Sequence, residues 1–135
     1  MALLTREQIL EAQDLPYEET EAWGGTVGVQ GLTGKERDAF ELSCTERKKG
    51  KGGKETVTMK LDNVRAKLVA RSVVDGPGGS LIFSEADVHA LGNKSALELQ
   101  RVFDVARRLS GLTDDDLEEL SKNSESDQSD SSSSD

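Results

Sequence analysis

The chain holds one histidine, His89, and one cysteine, Cys44, and these are its most reactive side chains. A catalytic base or a metal ligand needs partners, and no second histidine or cysteine cluster supplies them. His89 falls on a short predicted helix and reads as a surface or half-buried residue without a catalytic role. Cys44 ends a predicted helix beside Thr45 and a basic stretch. Neighbouring lysines would lower its pKa, yet a lone helical cysteine is most often a packing residue. Two Gly-Lys pairs suggest phosphate loops, but a Walker A loop continues with Ser or Thr to hold magnesium. Here Gly34-Lys35 is followed by Glu36 and Gly53-Lys54 by Glu55, and glutamate would repel phosphate. The stretch from Gly24 to Gly31 does not match Gly-x-Gly-x-x-Gly either, so these are turn glycines.

The acids Asp114, Asp115, Asp116, Glu118 and Glu119 suggest calcium, but they lack the alternate spacing and central glycine of an EF-hand loop. In the first turn of a helix they complement the helix dipole. Asn93-Lys94-Ser95 matches a glycosylation sequon and reads better as a loop and helix cap. The segment from Arg47 to Lys54 has five basic residues and three glycines. It is the one feature suited to nucleic acid, although no aromatic residue is interleaved for base stacking. Like charges and glycine predict a mobile loop there. No cofactor, metal or catalytic residue is assigned, and a non-enzymatic protein is expected.

The elements that position these residues must be built within 135 residues and 14.6 kDa, enough for one domain with a tail. Hydrophobic residues make up 34%, aromatics 4% and charged residues 32%, so the core must be small and aliphatic. The net charge of −9 opposes non-specific nucleic-acid binding, which needs excess cations to displace counterions. No apolar run approaches the ~20 residues of a membrane helix, and the start of the chain turns polar at Thr5-Arg6-Glu7, without a signal-peptide core. A single cysteine makes no internal disulfide. Cytoplasm is the expected location.

Ser124 to Asp135 contains seven serines and four acids with nothing apolar, so a disordered tail is expected. Upstream, the chain is punctuated by capping boxes, in which a Ser or Thr and a later Glu or Gln satisfy two free amides reciprocally. Thr5-x-x-Gln8, Thr33-x-x-Glu36 and Ser95-x-x-Glu98 fit directly, and Ser84-x-x-Asp87 and Thr113-x-x-Asp116 fit with the shorter Asp. The clearest predicted helix runs from Ser95 to Ser110, with Leu99, Val102, Phe103, Ala106 and Leu109 on one face and Gly111 as its C-terminal cap. Others are expected over Asp62–Val74, with Leu61, Val64, Leu68 and Val69 inward, and over Thr33–Glu46, with Ala39, Phe40 and Cys44 apolar. Short ones are expected over Thr5–Gln13, Ser84–Leu91 and Thr113–Lys122. Strands are expected over Tyr17–Trp23 and Thr26–Gln30, around a Gly24-Gly25 turn, and over Thr56–Lys60. Leu81–Phe83 reads as an edge strand. The prediction is an α+β fold, mainly α. It is a small helical domain over 1–122 with an N-terminal β-hairpin, followed by an acidic Ser/Asp tail over 123–135.

One stretch, Trp23-Gly24-Gly25-Thr26-Val27-Gly28-Val29-Gln30-Gly31-Leu32-Thr33-Gly34-Lys35-Glu36-Arg37-Asp38, resembles the N-terminal part of tail assembly chaperones from long-tailed bacteriophages. Asn63-Val64-Arg65-Ala66-Lys67-Leu68-Val69-Ala70 with Val74-Asp75-Gly76 is similar to the middle of those proteins. Phe83 to Ser95, Val102-Phe103 and Arg108-Leu109-Ser110-Gly111-Leu112-Thr113 are similar to their C-terminal part. The resemblance spans about residues 3 to 122 and rests on a pattern across the chain. The basic stretch, within that span, and the Ser/Asp tail beyond it are not part of the pattern.

The resemblance implies a non-catalytic assembly factor of the host cytoplasm that coats the tape-measure protein. It would keep that protein soluble and promote tail-tube polymerisation around it, remaining absent from the mature virion. A longer form made by ribosomal frameshifting would recruit the tail-tube protein; this chain would be the short form. Leu112, Leu117 and Leu120, rimmed by acids, are the candidate partner contacts, although leucines at such positions also commonly close a core. Two other readings stay open: a nucleic-acid-associated regulator using the basic stretch, and a structural tail or virion subunit. The chaperone reading predicts that Leu117→Asp leaves the domain folded and abolishes partner binding. Circular dichroism and pull-down together check this, and an unfolded or fully binding variant refutes it.

Overall fold

Short polar caps decide where the helices begin. In a computed structural model, which describes residues 2–112, the helices are α1 (Arg6–Glu11), α2 (Gly34–Ser43), α3 (Val64–Ser72), α4 (Val88–Gly92) and α5 (Ala96–Leu109). The strands are β1 (Tyr17–Ala22), β2 (Gly25–Gln30), β3 (Thr45–Lys49), β4 (Glu55–Met59) and β5 (Val73–Val74), and a 3-10 turn over Glu85–Asp87 leads into α4. Thr5 and Thr33 form complete capping boxes with Gln8 and Glu36. Ser95 caps α5 through the Glu98 amide, but the Glu98 carboxylate does not turn back as a capping box requires. It accepts instead from the Trp23 N–H at 3.0 Å, tying the tip of the first hairpin to the first turn of α5.

β1 and β2 pair antiparallel from Tyr17↔Gln30 to Ala22↔Gly25, and β5 joins the other edge of β2, giving a three-stranded sheet in the order β1-β2-β5. The register makes Trp23 and Gly24 the two turn residues, one position earlier than the expected Gly24-Gly25. Both have positive φ, 53° and 76°, as a two-residue turn between right-twisted strands requires. The sequence predicts helix through Val74, the span of β5. Instead α3 stops at Ser72, because Val73 and Val74 fill the open edge of β2 and bury their side chains there. Leu81–Phe83 forms no strand of its own and contributes one bridge, Val74↔Leu81.

The core lies where α5 crosses the hairpin and α3. Leu99, Val102, Phe103 and Ala106 of α5 are buried against Ala22, Val29 and the inner face of α3, whose Ala66, Leu68, Val69, Ala70 and Ser72 are all buried. Each fully buried Leu, Val or Phe among them contributes about 1.5–3 kcal/mol. Ser72, the one buried polar residue among those described, donates its hydroxyl to the Leu68 carbonyl at 2.8 Å. Leu109 is half-buried on the same stripe. α5 ends in a Schellman motif: the Leu112 N–H reaches the Arg107 carbonyl at 2.9 Å and the Gly111 N–H reaches Arg108 at 3.2 Å. Gly111 takes the left-handed conformation, with φ 72°, that this requires.

Three expected boundaries shift. α2 ends at Ser43 rather than Glu46, with the Lys67 ammonium donating to the Ser43 carbonyl at 2.9 Å to satisfy an orphan acceptor. Within it, Phe40 is buried and Ala39 is exposed. α3 starts at Val64 rather than Asp62, after Asn63 in the left-handed region, which leaves Leu61 at the surface. The segment from Arg47 to Lys54 is a loop only over Gly50 to Lys54. Arg47 to Lys49 lie in β3, paired with Glu55 to Val57 of β4, in a second hairpin that meets the domain mainly at α2. Pairing satisfies the backbone groups that the two strands turn toward each other, which a loop would leave to solvent. The expected helix over Thr113–Lys122 and the tail over 123–135 lie outside the described residues.

Gly31 is where the sheet meets the end of α5. A methyl group there would overlap the Leu109 carbonyl oxygen, and the Pro16 ring closes the other side. The adjoining Leu32 N–H donates to the Ser110 hydroxyl at 3.1 Å and ties the two segments together. Gly31→Ala is expected to destabilise the protein by about 1–3 kcal/mol through backbone overlap. Gly34→Ala, at the open first position of α2, is expected to be neutral or to stabilise by up to about 1 kcal/mol. Urea unfolding of the two variants checks the contrast.

Candidate functional site

A cleft of about 590 Å³ is lined by the first turns of α3 and α5 and the segments that lead into them. Its walls carry Leu61, Val64, Ala66, Leu97 and Leu99, and its rim carries Arg65, Lys94 and Gln100. Leu99 and Ala66 belong to the core, whereas Leu97 is 63% exposed and Leu61 38%. These two leucines therefore present apolar surface to solvent that no described element covers. Arg65 spans the seam. Its guanidinium hydrogen-bonds Gln100 and lies 5.7 Å from the centre of the Phe103 ring. Gln100 in turn donates to Asp104 at 2.7 Å. The rim is thus positive and held in place, over an apolar floor. Such a groove takes an apolar side-chain row with acidic flanks, the pattern of an amphipathic helix.

A second uncovered apolar surface among the described residues is α1 with its flanks. α1 has no buried residue, and Leu3, Leu4, Ile9 and Leu10 are all strongly exposed, Leu3 at 94%. A helix with apolar residues and nothing beneath them is completed by another surface.

The residues singled out in the sequence are scattered. Leu112 is 2% exposed and packs into the core beneath the end of α5, so it is not available to a partner. This corrects the expectation for Leu112, and its physical reason is the Schellman turn, which points the residue after Gly111 back onto the helix. Leu117 and Leu120 lie outside the described residues, as do Asp114 to Glu119. His89 is exposed on α4. Among the described residues, no group of three or more His, Cys, Asp or Glu could hold a metal ion, and no helix is long and apolar enough to cross a membrane. Leu97 escaped the sequence reading because it lies off the apolar stripe of α5. An isolated leucine on an otherwise polar face was the signal available. The pattern places Leu61 inward on a helix from Asp62, but α3 begins only after the left-handed Asn63 and leaves Leu61 at the surface.

No protein-family model, curated protein or solved structure matches the chain.

Cys44 is buried in the core, with its sulfur 4.0 Å from the Ser43 hydroxyl. Burial pushes its thiol pKa up, and this outweighs the opposing contact with Ser43 and the charges of Lys67 and Arg71. The cations that act on it come from α3 rather than from the basic segment. The consequence for stability has a definite sign. Above about pH 8.5 an unfolded chain ionises its cysteine while the folded chain retains the proton. Stability from this group is therefore complete below that pH and is lost as pH rises toward the folded-state value. Urea unfolding from pH 7 to 9.5 is expected to show the decline, and Cys44→Ala to flatten it. In the native protein, thiol reagents are expected to label Cys44 only as fast as the core opens.

Proposed function

We propose that this chain is a bacteriophage tail assembly chaperone in its short form, binding the tape-measure protein and keeping it soluble until tail-tube subunits polymerise around it. The observation that carries the reading is the apolar cleft between α3 and α5, with Leu97 and Leu61 at the surface and Arg65 and Lys94 on its rim. A tape-measure protein is long and helical, and its apolar faces aggregate if left uncovered. An apolar groove with a charged rim covers such a face and orients it by its acidic flanks. The exposed leucines of the α1 region would extend the covered length. The resemblance along residues 3 to 122 supports the same reading independently of the cleft. Under it the protein acts in the host cytoplasm, leaves before the virion is complete, and performs no catalysis. A longer frameshifted form would bring the tail-tube protein to the assembly.

Leu97 offers a sharp test, because it is exposed and its replacement need not disturb the core. Leu97→Glu is expected to keep the thermal midpoint of the parent and to weaken capture of the co-expressed tape-measure protein by roughly 10-fold or more. The amount of soluble tape-measure protein on co-expression is the readout. A variant that keeps the partner soluble as well as the parent would remove the cleft from the reading. The chain found in purified virions would replace a chaperone with a structural subunit.

A further inference from the structure

The β3–β4 hairpin is a charged ribbon standing off the domain. From Thr45 to Lys60 it carries six cations, Arg47, Lys48, Lys49, Lys51, Lys54 and Lys60, against two acids, Glu46 and Glu55. The register places Arg47 and Lys49 on one face, opposite Val57 and Glu55, and Lys48 on the other, opposite Thr56. Lys51 and Lys54 sit at the tip, which is closed by the Gly50 N–H donating to the Lys54 carbonyl at 2.7 Å. The base is closed by the Lys60 N–H donating to the Cys44 carbonyl at 2.6 Å. Every residue from Arg47 to Val57 is exposed. Among the described residues, none of the six cations has a carboxylate within ion-pair distance.

Such a ribbon is held together weakly. Two strands alone are marginal in water, and five neighbouring like charges oppose the pairing. An anionic partner relieves that repulsion and stabilises the ribbon.

The sequence carries that partner. Residues 2–112 hold 16 Lys and Arg against 17 Asp and Glu, so the domain itself is almost neutral. The remaining 23 residues, 113–135, hold nine acids and one base, Lys122, which is eight of the nine net negative charges. This segment is joined directly to Leu112 at the end of α5. A chain of that length can span up to about 75 Å, whereas a domain of this size has a radius of gyration of about 13 Å. Reach is therefore no obstacle, and covalent tethering gives an effective concentration on the order of millimolar.

We propose that the basic β3–β4 ribbon is the docking surface for the chain's own acidic segment, residues 113–135. Cations on both faces and at the tip suit a wrapping acidic strand better than a flat acidic partner, which would meet one face only. A duplex nucleic acid is the other polyanion that a basic ribbon fits. The tethered acids hold the ribbon first, and so keep the protein off nucleic acid in a cell full of it. This inference does not depend on the chaperone reading.

The test uses the full chain and a full-length variant in which every Asp and Glu of 113–135 is changed to Asn or Gln. At low salt, the amide resonances of Glu46 to Thr58 are expected to differ between the two proteins, while those of α3 and α5 coincide. The difference is expected to vanish in about 0.5 M salt, where exposed charges are screened within a few ångströms. Carbodiimide cross-linking, read by mass spectrometry on the monomer, is expected to join Lys48, Lys49, Lys51 or Lys54 to acids of 113–135. The neutralised variant is expected to bind duplex DNA in a salt-sensitive way, and the parent at least 10-fold more weakly. Identical ribbon resonances at low salt, or cross-links from the acidic segment to other surfaces alone, would overturn the proposal. Equal DNA binding by parent and variant would also overturn it, and would assign the ribbon to nucleic acid.

Discussion

The fold depends on one packing event, the burial of the apolar stripe of α5 against the inside of α3 and the first hairpin at once. Leu99, Val102, Phe103 and Ala106 are all part of that single contact surface. With only five aromatic residues in the chain, no second cluster of comparable size is available to compensate for its loss. α3 answers with small and branched residues, Ala66, Val69 and Ala70 among them, which let the two helices approach closely. The same helix then runs without a loop into β5, so the α3–α5 contact also fixes the third strand of the sheet. A helix-rich domain with a short sheet is the result, and both depend on the one stripe.

Polar contacts set the details of the assembly. Glu98 holds the hairpin turn, Arg108 pairs with Glu18 of β1, Lys67 closes the end of α2, and Arg71 reaches Glu85 in the 3-10 turn at 2.9 Å. The ion pairs are mostly exposed on at least one side, so each contributes little stability. Their value is geometric. They tie elements far apart in sequence, as in the 90-residue separation of Arg108 and Glu18, and choose one arrangement among those the apolar surfaces would allow.

Binding surface is what the packing leaves over. The cleft lies beside the first turns of α3 and α5, where Arg65 spans from one to the other. The ribbon forms because β3 and β4 satisfy each other's backbone and leave their charges outside. One surface is apolar with a positive rim and the other is mainly basic. They therefore select partners by different physics, apolar burial at the first and charge at the second.

Much of this was written locally. Thr5, Thr33 and Ser95 announce three helix starts because a cap is a contact between neighbours in sequence, and the spacing of Leu99 to Ala106 announces the core face because helical periodicity is local too. The α+β fold and the first hairpin follow from such signals. Other features depended on residues distant in sequence. Glu98 left its expected capping role because Trp23, 75 residues away, offered an otherwise unpaired amide. Val73 and Val74 became strand because β2 had an open edge. Arg47 to Lys49 became strand because β4 supplied partners that outweigh the repulsion of like charges. Leu112 turned from a candidate contact into core because the Schellman turn folds it back. Leu97 became a candidate contact because nothing described packs over it. Caps and periodicity are sequence properties, whereas the exposure of a leucine or the pairing of a strand edge is a property of what lies across the gap, and only the tertiary structure decides that.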